Sequence, residues 1–335
     1  MASLVTTIRE TLRYRGAIGQ WSWVLHRLTG LGVVLFLTLH VIDTSWAVFW
    51  PEGYEKAIAI YQSPLFTIGE FGLVFAVVYH ALNGLRIVIF DYKPEWWKYQ
   101  QRAAYAVLAG TAIILVPVFI GMFGHVIEHY RHDPFIMPLT EVIWEQRIFA
   151  GLFLAGAVAA FAASFIAGQF GIGEDAGGPV VSAKHNGSQI EKFWWSFMRI
   201  SGVLIIPVVF GHLAAMHVLQ GVFDLTAAGS TVVGTDAINV SGTATEFVMH
   251  RWGVTWIRIY DGILLILVTL HGFNGLRYVL TDYTMDYPLA RRAMTYLTIM
   301  GGVGILLVGL AALLGTIEPT HIEMAEEALR AIRTE

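Results

Sequence analysis

Long apolar runs recur seven times along this chain, at roughly 22–46, 66–90, 104–126, 148–170, 197–220, 257–280 and 293–316, with polar residues gathered between them. Each run reaches the roughly 20 residues that an α-helix needs to cross a hydrocarbon core of about 30 Å. In lipid a helix satisfies its own backbone, so such runs predict an all-α, polytopic membrane protein with seven transmembrane helices. Composition agrees: of 335 residues 56% are hydrophobic and 14% charged, with a mean hydropathy of +0.61, too apolar for an ordinary soluble domain. The first 20 residues carry several arginines and no cleavable signal pattern, so the first helix is expected to stay in the mature protein.

The polar residues inside these runs repeat. His80-Ala-Leu-Asn-Gly84-Leu-Arg86, ending at Asp91-Tyr92, returns as His271-Gly-Phe-Asn-Gly275-Leu-Arg277, ending at Asp282-Tyr283. Likewise Arg27-Leu-Thr29-Gly30 with His40 thirteen residues after the arginine returns as Arg199-Ile-Ser201-Gly202 with His212. Helices one to three thus match helices five to seven. The register slips within the second unit, where residues 221–256 predict a longer external loop rich in Gly, Ser and Thr.

Two three-helix units point the same way only if an extra crossing joins them, and the Ala- and Gly-rich fourth run supplies it. The expected division is a first repeat over 1–130, a linking helix and Gly-rich linker over 131–190, a second repeat over 191–317 and an external tail over 318–335. Lys and Arg bias places the amino terminus in the cytoplasm and the carboxyl terminus outside. Arg9, Arg13, Arg15, Lys93, Lys98, Arg102, Lys184, Lys192, Arg291 and Arg292 fall on one side, with sparser charge opposite.

Cysteine is absent, which excludes a disulfide, a thiolate-held iron–sulfur cluster and covalent haem attachment in this chain. The net charge of −4 does not argue for a nucleic-acid partner, and none is expected. Histidine is the remaining soft ligand, and the repeat sorts the histidines. His26 faces Met198 across the repeat and His217 faces Ser45; only His40 with His212, and His80 with His271, have histidine mates. Two imidazoles from facing helices suit the axial positions of a haem held in a four-helix core. Zinc would need further ligands, and none is expected from a carboxylate or thiol at helical spacing.

Filled axial positions point to electron transfer, with a purely structural haem the alternative. His80 precedes Asp91 by eleven residues, about 16 Å of helix, and His40 lies about 19 Å beyond Arg27. One haem (His80, His271) is therefore expected near mid-membrane and the other (His40, His212) nearer the outer surface. Gly84 and Gly275 would allow the flat ring or a neighbouring helix to approach closely.

His26-Arg27-x-Thr29-Gly30, followed by His80-x-x-x-Gly84-x-Arg86 and Asp91, resembles the cytochrome b membrane anchor of succinate:quinone oxidoreductase, the respiratory complex II and fumarate reductase family. Leu280-Thr281-Asp282-Tyr283 resembles the other small anchor subunit, so the chain looks like a fusion of two anchors welded by helix four. The resemblance implies two haem b groups, a quinone pocket, and partnership with a flavoprotein subunit and an iron–sulfur subunit, in the cytoplasmic membrane of a prokaryote. Membrane lipid is the remaining partner, and a higher oligomer stays open.

It implies quinone contact by Ser22, Arg27, Thr29, Asp282 and Tyr283; symmetry offers a rival pocket of Ser196, Arg199, Asp91 and Tyr92. His26, Arg86 and Arg277 are candidates for the haem propionates. Where the family has a serine four residues before the helix-one arginine, this chain has Trp23, and Trp195 in the second copy, so both menaquinone and ubiquinone stay open. The paired tryptophans Trp96-Trp97 and Trp194-Trp195 read as an interfacial belt. The competing classes are a cytochrome b subunit of a hydrogenase or formate dehydrogenase, which the Asp-Tyr endings disfavour, and a haem-free seven-helix transporter.

Overall fold

The computed structural model describes residues 17–61, 64–132, 138–171, 189–216 and 244–317. The amino-terminal arm, the Gly-rich linker, most of the long loop before residue 244 and the carboxyl tail lie outside these residues. The helices are α1 (Ile18–Phe49), α2 (Pro51–Tyr61), α3 (Pro64–Tyr92), α4 (Gln100–His132), α5 (Leu139–Glu145), α6 (Arg147–Gln169), α7 (Gln189–Ala214), α8 (Ala244–Gly253), α9 (Thr255–Tyr283) and α10 (Pro288–Gly315), with a 3₁₀ turn at Pro94–Tyr99. Seven helices among the described residues are long and apolar enough to cross a membrane. α1, with 32 residues, is about 48 Å long, longer than a hydrocarbon core of about 30 Å is thick.

α1, α3, α7 and α9 form a closed ring in which each helix packs on its two neighbours, α1 on α3, α3 on α7, α7 on α9 and α9 on α1. α4 leans on α3, while α10 packs on α9, α1 and α6. Every helix bearing a repeated histidine is therefore in the central four. The entry end of the ring is where α1 and α7 begin and α3 and α9 finish; the far end is opposite.

Lipid is as apolar as leucine, so these helices associate through close packing and internal hydrogen bonds. Small residues make the seams. Ala160, Ser164 and Ala167 line the buried edge of α6, and the Ser164 hydroxyl donates to the Leu289 carbonyl of α10 at 2.7 Å. A Cβ on Gly309 of α10 would stand 2.6 Å from Leu265 of α9 and 3.0 Å from Val41 of α1. Hydroxyls within the spans return to their own helix: Thr38 to the Val34 carbonyl, Thr44 to that of His40 and Thr281 to that of Arg277.

The predicted loop over 221–256 ends in helix. α8 docks Val248 and Trp252 into an apolar cluster with Ala47, Tyr54, Leu265, Ile305, Ala312 and Leu313 at the far end. α2 occupies the corresponding place after α1 and packs against α8. Burial of these aromatic and aliphatic faces overrides the polar composition around them. Beside this cluster, Tyr61 donates to the Asp43 carboxylate; burial and that carboxylate push the Tyr61 phenol far above its usual range, so it stays a donor.

Candidate functional site

The repeated residues meet in pairs related by the internal symmetry. At the entry end, Arg27 of α1 forms an ion pair with Asp282 of α9. Its counterpart Arg199 of α7 holds Asp91 of α3 through Nε and Nη2 at 3.0 and 2.8 Å. Each guanidinium lies over a tryptophan of its own helix, Arg27 over Trp23 at 4.2 Å and Arg199 over Trp195 at 4.0 Å, and Arg27 also stands 5.9 Å from the Tyr283 ring. Both arginines thus cross between the two halves. The pairs differ in openness: the Asp282 side chain is 50% exposed and that of Asp91 19%. Tyr283 and Tyr92 are exposed at the ends of their helices, and Ser196 is part-buried on α7.

Deeper in the ring, the histidines are gripped through one nitrogen. His80 Nδ1 lies 3.1 Å from the His26 carbonyl and 3.4 Å from the Thr29 hydroxyl; His271 Nδ1 lies 2.9 Å from the Ser201 hydroxyl. Thr29 and Ser201 are repeat mates, as are Gly30 and Gly202, which face these imidazoles. A Cβ would stand 2.9 Å from His80 at Gly30 and 3.3 Å from His271 at Gly202. His26 stacks on His80 with ring centres 4.0 Å apart. Farther along, His40 of α1 meets His212 of α7 with ring centres 6.4 Å apart and planes at 76°, and His212 Nδ1 faces Asp261 at 3.2 Å.

Two imidazoles on opposite faces of one iron, with metal–nitrogen bonds of about 2 Å, have centres about 6 Å apart, so the His40–His212 separation fits a shared haem. In His80, His212 and His271 the Nδ1 atoms are engaged, which leaves Nε2 for iron; a ligating histidine characteristically has its other nitrogen held in this way. Among the described residues no cluster of three or more His, Cys, Asp or Glu that could hold a bare metal ion is present.

Several residues read as site groups stand elsewhere. Ser22 does not join Arg27: it lies about 140° round the helix, donates to Asn83 at 2.7 Å and accepts from Arg86 Nη2 at 2.9 Å. Arg86 also holds Asn83 through Nε at 2.9 Å and is buried, so it ties α1 to α3. Arg277 holds Asn274 in the same manner at 3.1 Å. Thr29 serves His80 rather than the entry-end pair. Gly84 and Gly275 face His26 and Met198, the neighbouring helix and not the repeated histidines.

Contrary to the expectation that no carboxylate stands at helical spacing from these histidines, Asp43 lies three residues after His40, where Tyr61 and Thr44 hold it; Asp261 reaches His212 from a different helix and so was hidden from spacing. Arg251 and Trp252, which hold Asp261 (Arg251 Nη2 at 3.0 Å, Trp252 Nε1 at 3.2 Å), were hidden for the same reason. Ser201 was visible as the mate of Thr29, but only structure shows what that hydroxyl does.

The sequence pattern of the succinate dehydrogenase/fumarate reductase transmembrane subunit matches residues 7–127 and 177–311. The chain belongs to this family. It is a membrane anchor subunit of succinate dehydrogenase type, and its α6 lies between the two matched segments. It is 36% identical to the succinate dehydrogenase 2 membrane subunit SdhC of Mycobacterium tuberculosis over 136 residues, 39% of this chain and all of that protein. It is 30% identical to the succinate dehydrogenase hydrophobic membrane anchor subunit of Halobacterium salinarum over 106 residues, 30% of this chain and 81% of that one. No solved structure matches the anchor.

Proposed function

We propose that this anchor is the dihaem cytochrome b subunit of a succinate:quinone oxidoreductase and passes electrons between an iron–sulfur subunit and the quinone pool. The observation that carries the reading is the symmetric seating of the repeated histidines in one four-helix ring, each from a different helix, with Nδ1 engaged in three of them. His40 with His212 would hold one haem b, and His80 with His271 the other. Bound there, haem would supply one-electron centres at two heights in the bilayer. The chain's own residues would fix the imidazole rings through Nδ1 and keep Nε2 available.

The Arg27–Asp282–Tyr283 corner is the quinone pocket favoured by exposure. A half-exposed ion pair is worth only about 0–1 kcal/mol, so an entering quinone displaces little when Arg27 turns to donate to its carbonyl. Reduction of a quinone to the quinol takes two electrons and two protons; Asp282 and Tyr283 stand at the helix end where protons would come from water. The more enclosed Arg199–Asp91 corner is the structural counterpart. With Trp23 beside Arg27, the pocket would accept menaquinone or ubiquinone. The reading places the entry end at the cytoplasmic face of a prokaryotic membrane, where the flavoprotein and iron–sulfur subunits would dock.

Purification of the native complex tests this. A flavoprotein and an iron–sulfur protein should accompany the chain. Asp282→Asn should lower succinate:quinone reductase activity at least tenfold (about 1.4 kcal/mol in the transition state) with haem content unchanged, and Asp91→Asn should lower it less. The chain alone, or with a nickel enzyme, would overturn the assignment.

A further inference from the structure

His212 is held differently from His80 and His271. The inner two lean on neutral partners, a backbone carbonyl with a threonine hydroxyl at His80 and the Ser201 hydroxyl at His271. His212 Nδ1 faces a carboxylate, Asp261 Oδ1 at 3.2 Å. Asp261 is itself fixed from two more sides: Arg251 Nη2 lies 3.0 Å from both oxygens, and the Trp252 indole donates to Oδ2 at 3.2 Å. The Arg251 and Asp261 side chains are 6% and 11% exposed. A buried carboxylate with three donors on it is held at one place and one angle, and such a network is stable only when it is fully satisfied.

We propose that Asp261 is a positioning residue for His212: it accepts a hydrogen bond from Nδ1–H, keeps Nε2 for iron, and lowers the reduction potential of the far-end haem relative to the mid-membrane one. This rests on the dihaem reading above. A carboxylate acceptor makes an imidazole a stronger electron donor than a hydroxyl or a peptide carbonyl does, and a stronger donor favours ferric over ferrous iron. Because Arg251 balances the charge, Asp261 acts through the hydrogen bond and through the angle of the ring, which stands at 76° to His40. The competing role is mechanical. Asp261 also ties α8 to α9 through Arg251 and Trp252, and a tether alone would leave the haem's electronic properties unmoved.

The test uses the intact complex with three variants, Asp261→Asn, Asp261→Glu and Trp252→Phe, and reads haem content, the midpoint of each haem by redox titration, and the low-spin EPR signals. Asp261→Asn should keep both haems and raise only the far-end midpoint. The ferrous-to-ferric ratio at a fixed potential then rises about tenfold, which is about 59 mV for one electron. The EPR signal of that haem should move as the ring loses its fixed angle. Asp261→Glu should restore both readings, and Trp252→Phe, which loosens the tether and spares the His212 bond, should leave both in place.

An Asp261→Asn complex with both midpoints and both signals unchanged overturns the role, as does Trp252→Phe producing the same shift. Should Asp261→Asn shed the far-end haem, its recovery at the original midpoint in Asp261→Glu supports the role and its continued absence overturns it. An unmutated complex without haem would instead overturn the dihaem reading, and this role with it.

Discussion

A histidine in lipid is fixed by whatever occupies its second nitrogen. For His271 that is one hydroxyl, Ser201, at 2.9 Å; for His80 it is a backbone carbonyl at 3.1 Å with Thr29 farther off at 3.4 Å. Ser201→Ala should therefore weaken retention of the mid-membrane haem about tenfold, within the range such partners command, while Thr29→Ala leaves His80 its carbonyl and costs less. Haem loss from the purified complex under dilution in detergent checks this; equal loss in the two variants would contradict it. The histidines stood out because they recur in register, and Arg27, Asp282 and Tyr283 stand side by side at the entry end. The Thr29–His80 and Asp261–His212 contacts were not legible because a hydroxyl or carboxylate reaching across helices leaves no spacing in the sequence. Ser22→Ala gives a second check on such a contact. It removes an acceptor from buried Arg86 and should cost about 1–3 kcal/mol, seen as a lowered melting temperature without a change in the haem spectrum.

Helices here are held by seams of small residues, so volume added at a seam should be felt and volume added toward lipid should not. Gly309→Val puts atoms against Leu265 and Val41 and should destabilise the complex by about 1–3 kcal/mol. Gly304→Val on the same helix meets nothing within 4 Å and should melt as the unmutated protein does. Equal melting temperatures for the two would contradict the packing described. Element existence was readable because an apolar run of about 20 residues has few fates. Boundaries were less so: α1 extends to Ile18 and Phe49 beyond its 22–46 core. α8 was missed because a short helix is made by what it packs against, here Tyr54 and the far-end cluster, and its own ten residues carry little signal.

Across the whole molecule, the four histidine helices form one ring although they come from opposite ends of the chain, and α6 makes that possible by returning the chain before the second unit starts. α6 is more than a connection: it is sewn to α10 by the Ser164–Leu289 bond and the Ala160–Ala167 edge. Chains cut within residues 173–187 should therefore reassemble, with the first fragment co-purifying with the second through α6–α10, α1–α9 and α3–α7 contacts; fragments that separate would contradict this. The seven spans and the internal repeat were open to reading from the sequence, whereas the closed order of the ring depends on side-chain fit between helices distant in sequence.

Haem-to-chain stoichiometry in the purified complex tests the central claim most directly. Two b-type haems per chain are predicted, with His212→Ala and His271→Ala each leaving one and the survivors differing in midpoint potential. A complex without haem, or one whose haem content neither substitution changes, would contradict the account.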